Sequence, residues 1–127
     1  MACFRLGRAD RGWEILSLLL PETHNAAVYG AEPFVLPADV YSAKGHEGEA
    51  GWTWYTGSAG WYFRAIYEEM LGLRLSGGKL TIRPHLPEAL QNVSVFWTDG
   101  HGTRHEIAIS RGSISVDGAP YDGGEIG

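Results

Sequence analysis

Three small residues set among aromatic rings form the segment of this chain best suited to binding chemistry. The segment runs from Gly51 to Trp61 as GWTWYTGSAGW, with Thr56, Gly57 and Ser58 at its centre. A helix is predicted to begin here, so the first backbone N–H groups have no partner within the helix and lie at its positive dipole end. Such a terminus is suited to an anion, and glycine lets a ligand approach the backbone closely. The pattern therefore predicts an anion site at Thr56 and Gly57.

Aromatic residues precede this predicted anion site in a glycine-flanked loop. Trp52, Trp54 and Tyr55 could stack on the apolar faces of a sugar ring and cover a pocket. An anion beside a sugar indicates a phosphate and a glycosyl group bound side by side. Two simpler interpretations stay open: Thr56 and its neighbours as an ordinary helix cap, and aromatic rings that belong to a core.

Helical periodicity covers most of the first half of the chain. Residues 1–6 are predicted to end a helix capped by Gly7, and Asp10 is the predicted N-cap of a second helix. The apolar face of that second helix consists of Trp13, Leu16 and Leu20. A third helix is predicted from the Thr-Gly-Ser segment to about Gly72, with apolar residues at Ala59, Tyr62, Ile66, Met70 and Leu73. The intervening residues 22–51 have weak periodicity, which is typical of a functional loop or lid.

Alternation with a period of two dominates the second half. Four strands are predicted, at Leu80 and Ile82, at Val93, Val95 and Trp97, at Ile107 and Ile109, and at Ile114 and Val116. Glycine-containing turns separate them, and a single antiparallel sheet of four strands is predicted. The chain is therefore predicted to be α+β, with helices over residues 1–75 and a β-sheet domain over residues 76–127.

Charge and cysteine content restrict the partners. The 127 residues carry a formal net charge of −5 and no basic stripe, so no nucleic-acid partner is predicted. Cys3 is the only cysteine, which excludes an internal disulfide and a thiolate metal centre. The apolar run ILSLLL is far shorter than a membrane span. A soluble, cytoplasmic location is predicted.

The histidines do not predict a metal site. His46 lies between Glu47 and Glu49, but Ala50 stands where a zinc-binding helix needs its second histidine. His101 and His105 would lie about 13 Å apart along a strand, which is too far for one metal ion. No metal and no cofactor are predicted.

The segment EPFVLPADVYSAKGHEGEAGWTWYTGSAGWYFRAIYEEMLGLRLSGGKLTIRPHLP, from Glu32 to Pro87, closely resembles the C-terminal part of the cellobiose phosphorylase family, glycoside hydrolase family 94. Within that family it is most similar to the phosphorylase-like region of cyclic β-1,2-glucan synthases. The resemblance implies the last helices of an (α/α)6 barrel followed by a small antiparallel β-sheet domain. It also implies inverting phosphorolysis of β-glucosides, with inorganic phosphate as co-substrate and with Thr56 and Gly57 in the phosphate site.

The resemblance further implies that parts of that active site lie upstream of the matching residues. The family's catalytic Asp, and an Arg and a His that bind phosphate, have no counterpart in this chain. We therefore expect a C-terminal fragment, inactive in isolation, of a parent that could be an inner-membrane protein with this region in the cytoplasm. The alternative is a non-catalytic carbohydrate-binding or interaction module derived from that fold. Self-association through exposed helical faces is a further expectation.

Overall fold

The structure is a computed structural model that describes every residue from Met1 to Gly127. It divides into two compact units, one formed by Trp13–Arg64 and the other by Met1–Gly12 together with Ala65–Gly127. Helices and antiparallel sheets both occur, which confirms the predicted α+β class. The division between residues 75 and 76 concerns the domains of a parent protein and stays a prediction. None of the helices combines the length and the apolar character that a bilayer span requires.

The unit Trp13–Arg64 consists of short elements joined by turns. In chain order these are the C-terminal part of α2 (Ala9–Ser17), a 3-10 turn (Pro21–Thr23), α3 (Ala26–Tyr29), β1 (Asp39–Val40), β2 (Ala50–Gly51) and α4 (Thr56–Arg64). β1 and β2 pair antiparallel. The side chain of Asn25 caps α3 by accepting the Ala27 N–H at 3.0 Å. The predicted loop over residues 22–51 thus contains a helix and a strand pair of its own.

The second helix differs from the prediction at both ends. It begins at Ala9, so Asp10 lies in its first turn and is not the N-cap. The Asp10 carboxylate instead accepts the Glu88 N–H at 2.6 Å, a contact with a distant segment that local sequence does not reveal. Leu20 lies beyond the helix in an extended conformation, because the following Pro21 disfavours a helical backbone at the residue before it.

The unit that contains both chain ends is built from two helical segments and six strands. They are α1 (Ala2–Arg5), a π-helical segment (Ala65–Met70), β3 (Leu73–Ser76), β4 (Lys79–Ile82), β5 (Asn92–Thr98), β6 (Arg104–Ser110), β7 (Ser113–Val116) and β8 (Ala119–Pro120). Its buried apolar side chains are Phe4, Ala65, Met70, Leu71, Leu73, Leu80, Ile82, Ile107 and Ile109. The predicted cap at Gly7 is confirmed: φ is 69°, and the N–H groups of Gly7 and Arg8 bond back to the Phe4 and Cys3 carbonyls at 3.0 and 2.8 Å.

The four predicted strands all occur, but they do not form one sheet. β5 to β8 form a four-stranded antiparallel sheet in chain order, whereas β4 pairs with β3 in a separate hairpin. The outer edge of that hairpin meets the C-terminal segment, where Leu80 and Ile126 exchange backbone hydrogen bonds of 2.8 and 3.0 Å. The prediction of a single sheet is therefore wrong, because alternation identifies strands without identifying their partners.

The π-helical segment follows α4 directly in the chain and changes the predicted end of the third helix. The Leu71 N–H reaches the Ile66 carbonyl at 2.8 Å, a five-residue step characteristic of π geometry. The backbone turns at Gly72, where φ is 69°, and Leu73 begins β3. The prediction that Leu73 belongs to the helix face is wrong.

A buried carboxylate lies on this π-helical segment. Glu69 is 1% exposed, and the Arg5 guanidinium binds both of its oxygens, with Nε at 2.7 Å from Oε2. Arg74 adds a longer contact of 3.3 Å to Oε1. The hydrogen bond from Arg5 holds the pKa of Glu69 below its usual range. The charge is therefore buried but paired.

Candidate functional site

The aromatic loop before α4 has an unusual backbone. Trp52 and Trp54 have φ of 48° and 60°, in the left-handed region that bulky residues rarely adopt. Hydrogen bonds hold this conformation: the Tyr55 N–H donates to the Leu36 carbonyl at 3.2 Å, and the Ala38 N–H donates to the Trp52 carbonyl at 3.1 Å. Strained residues fixed in this way are concentrated at binding and catalytic sites.

The aromatic rings of this loop are exposed and do not belong to a core. Trp52 is 77% exposed, Trp54 is 62% exposed and Tyr55 is 43% exposed. Trp52 lies against Tyr55 with centroids 5.5 Å apart, and Trp54 meets Phe34 edge to face at 5.9 Å. The Trp54 indole N–H donates to the Glu32 carboxylate at 3.1 Å, which fixes the orientation of the ring.

An open apolar hollow of about 310 Å³ lies beside these rings. It is lined by residues 34–36 and by Trp54, Tyr55, Thr56 and Ala59. The volume is at the lower end of the range for small-ligand sites, and such sites are typically apolar with a few polar groups. Thr56 supplies the polar edge of this hollow.

The N-terminus of α4 presents free amides next to the hollow. The first helical hydrogen bond runs from the Ala59 N–H to the Tyr55 carbonyl at 3.3 Å, so the amides of Thr56, Gly57 and Ser58 precede it. No backbone carbonyl or side chain accepts a hydrogen bond from these three amides. Thr56 and Gly57 are exposed, and the first turn contains no acidic residue. The arrangement is suited to an anion.

The structure brings four of the five predicted site residues to one place. Trp54, Tyr55 and Thr56 line the hollow, and a Cβ added to Gly57 would lie 3.3 Å from the Tyr55 ring. Trp52 contacts Tyr55 but does not line the hollow. Whether any of these residues binds phosphate or sugar stays a prediction.

Two residues of this site cannot be recognised from local sequence. Phe34 forms part of the hollow and packs on Trp54, and Glu32 bonds to the Trp54 indole across 22 positions of sequence. Both lie in the motif EPF, whose only local signal is an aromatic residue within a proline-rich extended segment. Periodicity cannot indicate which distant ring such a residue contacts.

The weaker candidates form local contacts. His46 Nδ1 lies 3.0 Å from a Glu49 oxygen, and Glu47 accepts the Gly45 N–H at 2.8 Å. Nowhere in the chain do three His, Cys, Asp or Glu side chains converge in a way that could hold a metal ion.

Comparison with known protein families identifies the family of this chain. The family described as glycosyl hydrolase 94 superfamily, catalytic domain, matches residues 1–72, more than half of the chain. The chain belongs to the glycosyl hydrolase 94 superfamily. The family resemblance of the Glu32–Pro87 segment is thereby confirmed.

Individual relatives are carbohydrate enzymes by name. The chain is 43% identical over 113 residues to cyclic β-(1,2)-glucan synthase NdvB of Rhizobium meliloti, covering 85% of this chain and 4% of that protein. It is 32% identical over 92 residues to solabiose phosphorylase of Paenibacillus borealis, covering 70% and 12%. It is 30% identical over 133 residues to N,N'-diacetylchitobiose phosphorylase of Vibrio furnissii, covering 93% and 16%. The chain thus spans less than a fifth of the length of each of these relatives.

Proposed function

We propose that this chain contributes the phosphate-contacting loop to an active site for inverting phosphorolysis of β-glucosides. The parent would be a glycoside phosphorylase or cyclic β-1,2-glucan synthase, with α1, α2 and α4 among the last helices of an (α/α)6 barrel. The observation that carries the proposal is the set of free amides at Thr56 and Gly57 beside the apolar hollow. The relatives named above are phosphorylases and a glucan synthase, which supports the same reaction class.

Positioning of phosphate is the chemistry that these residues would supply. In an inverting reaction phosphate attacks the anomeric carbon from the face opposite the leaving group, while a carboxylic acid protonates the departing oxygen. Phosphate is already an anion, so it needs placement more than a general base. The α4 amides and helix dipole would hold it, and the exposed faces of Trp54, Phe34 and Tyr55 would contact the glucosyl ring. No carboxyl group of this chain is assigned as the acid.

Titration of the chain with inorganic phosphate, followed by amide NMR, tests the binding step. A helix terminus stabilises an anion by about 0.3–2 kcal/mol, so without the upstream Arg and His we expect a Kd no tighter than tens of millimolar. Saturable shifts should centre on residues 53–60, including Thr56 and Gly57. Shifts that saturate only elsewhere in the chain would show that the site is misplaced.

A matched pair of glycine variants makes the test specific. Gly57 and Gly60 both lie in α4, so a valine at either position has a similar effect on helix propensity. A Cβ at Gly57 would meet the Tyr55 ring, whereas a Cβ at Gly60 has no neighbour within 4 Å. We expect Gly57→Val to abolish phosphate binding and Gly60→Val to preserve it. Equal loss in both variants would contradict a role for the Gly57 amide.

A second function is favoured by the exposed rings alone. Phe34 is 75% exposed and Trp54 62% exposed at the rim of a hollow with little polar surface, which would also suit a non-catalytic carbohydrate-binding module. Binding of β-glucan oligosaccharides that is independent of phosphate and lost in Trp54→Ala would favour this module. Mutually enhanced binding of phosphate and oligosaccharide would favour the phosphorylase site.

A further inference from the structure

His105 forms a cluster that the proposed function does not use. Its side chain is 16% exposed, and its ring stacks on Trp97, its partner across the β5–β6 pair, at 5.4 Å and 22°. Nδ1 lies 2.8 Å from Asp117 Oδ2, and Nε2 lies 3.5 Å from Asp99 Oδ2, the outer limit of a hydrogen bond. A neutral imidazole has one N–H, whereas an imidazolium has two. Only the protonated ring can donate to both carboxylates.

The Asp99 carboxylate shapes the turn between β5 and β6. Its Oδ1 accepts the N–H groups of His101 and Thr103, each at 2.8 Å. The Asp99 N–H in turn donates to the Thr103 carbonyl at 2.9 Å. The side chain is 8% exposed, so its second oxygen has little access to water and faces His105.

The Asp117 carboxylate shapes the turn between β7 and β8. Asp117 and Gly118 have φ of 52° and 80°, the pattern of a two-residue type I′ hairpin. Asp117 Oδ1 accepts the Glu106 N–H at 2.8 Å, which leaves Oδ2 for His105. In an antiparallel sheet ordered β5 to β8, this turn and the Asp99 turn lie at the same end.

We propose that protonated His105 is a pH-dependent clamp, which holds the two turns at this end of the sheet and releases one of them when it loses its proton. The charged groups that face its ring are the carboxylates of Asp99 and Asp117. The charge of His101 contributes to the lowered pKa of Asp99. Arg104 and Glu106 are the sequence neighbours of His105, and their side chains are exposed on the opposite face of β6. No cation therefore faces the ring to oppose its protonation.

The electrostatics of the cluster give the direction of the pH dependence. The hydrogen bond to Asp117 is the largest cause that raises the pKa of His105. The Thr103 amide lowers the pKa of Asp99, and the Glu106 amide lowers the pKa of Asp117. Because the folded pKa of His105 is raised, its contribution to stability is complete below about pH 6.5, the ordinary histidine value. That contribution is lost as the pH rises through the folded pKa.

Histidine titration by NMR tests the clamp, first on the unmodified chain and then on one variant. We expect the ring of His105 to titrate above the ordinary histidine value of about 6.5, because the Asp117 and Asp99 carboxylates stabilise the imidazolium. Asp117→Asn should lower the titration midpoint of His105 toward the ordinary histidine value. A His105 midpoint at or below the ordinary histidine value of about 6.5 in the unmodified chain would overturn the proposal.

Amide hydrogen exchange tests the release of the turns. The protection factor of the amide at the released turn, either the Thr103 N–H bonded to Asp99 or the Glu106 N–H bonded to Asp117, should fall about tenfold or more between pH 6 and pH 9. The Leu80 N–H, bonded to Ile126 in the separate β4 strand, is the internal control and should change little. His105→Gln should remove the pH dependence at both turns. Equal protection at both pH values in the unmodified chain would overturn the proposal.

Discussion

Glu69→Gln isolates the buried charge on the π-helical segment. Glutamine keeps the shape of the side chain and removes its charge, so that its amide N–H groups face the N–H groups of Arg5. Glu69 is 1% exposed, whereas the Arg5 and Arg74 side chains are 58% and 55% exposed and can turn to water when their partner is lost. Removing a partner from a charged, buried hydrogen bond costs about 1.5–3 kcal/mol, and the exposure of the arginines places the cost below the 3–5 kcal/mol of a fully buried pair.

We therefore expect Glu69→Gln to lower the free energy of unfolding at pH 7 by about 2–3 kcal/mol, which is roughly 6–12 °C in Tm for a chain of this size. Urea unfolding followed by circular dichroism measures it. Glu125→Gln is the matched control, because Glu125 pairs with Lys79 at 2.7 Å with both side chains more than half exposed. Exposed pairs contribute little, so the control should remain near the unmodified stability.

The pH dependence of this difference follows from the lowered pKa of Glu69. A depressed carboxyl pKa gives stability that is present above the unfolded value of about 4.3 and is lost as the pH falls through the folded pKa. The gap between the unmodified chain and Glu69→Gln should thus be full at pH 7 and narrow below pH 4. A gap at pH 7 no larger than that of Glu125→Gln would refute the buried ion pair.

Two further predictions concern the backbone and a tyrosine. Gly72 and Gly77 both have positive φ, so alanine is strained at either position, and Gly77→Ala should lower the free energy of unfolding in urea by about 1 kcal/mol. Gly72→Ala should lower it far more, because a Cβ at Gly72 would overlap the Arg83 carbonyl, whereas a Cβ at Gly77 has no neighbour within 4 Å. Similar losses in the two variants would contradict this packing. Burial raises the pKa of Tyr62 to about 12, so its contribution to stability should be lost as the pH rises from 10 to 12. Alkaline absorbance titration should show that Tyr62→Phe lacks one tyrosine that titrates near pH 12 in the unmodified chain. If the tyrosine missing from the variant titrates near pH 10 instead, the burial of Tyr62 is contradicted.

Local sequence patterns were sufficient for the elements whose signals are themselves local. Gly7 ends α1 because glycine accepts a left-handed backbone, and the alternation of Val93, Val95 and Trp97 marks β5 because one face of the strand packs inward. The start of α4 at Thr56 was predicted in the same way. These features depend on residues within a turn or two of one another.

Features that depend on distant partners could not be predicted. Glu69 has the sequence spacing of an ordinary helix residue, and its burial depends on Arg5, 64 positions earlier. The spacing of His101 and His105 bears only on a metal site, whereas the partners of His105 are Asp99 and Asp117 in two different turns. The orientation of Trp54 depends on Glu32 in the same way. Periodicity gives no information on such long-range pairs.

The Michaelis constant for phosphate in a full-length phosphorylase relative tests the central claim most directly. The variant carries valine at the position that corresponds to Gly57, where the added side chain would obstruct the amides. Loss of one hydrogen bond to a charged group costs about 1.5–3 kcal/mol, so we expect the KM for phosphate to rise about tenfold or more while the KM for the glucoside changes little. An unchanged KM for phosphate, with an altered KM for the glucoside, would contradict the assignment of phosphate to the N-terminus of α4.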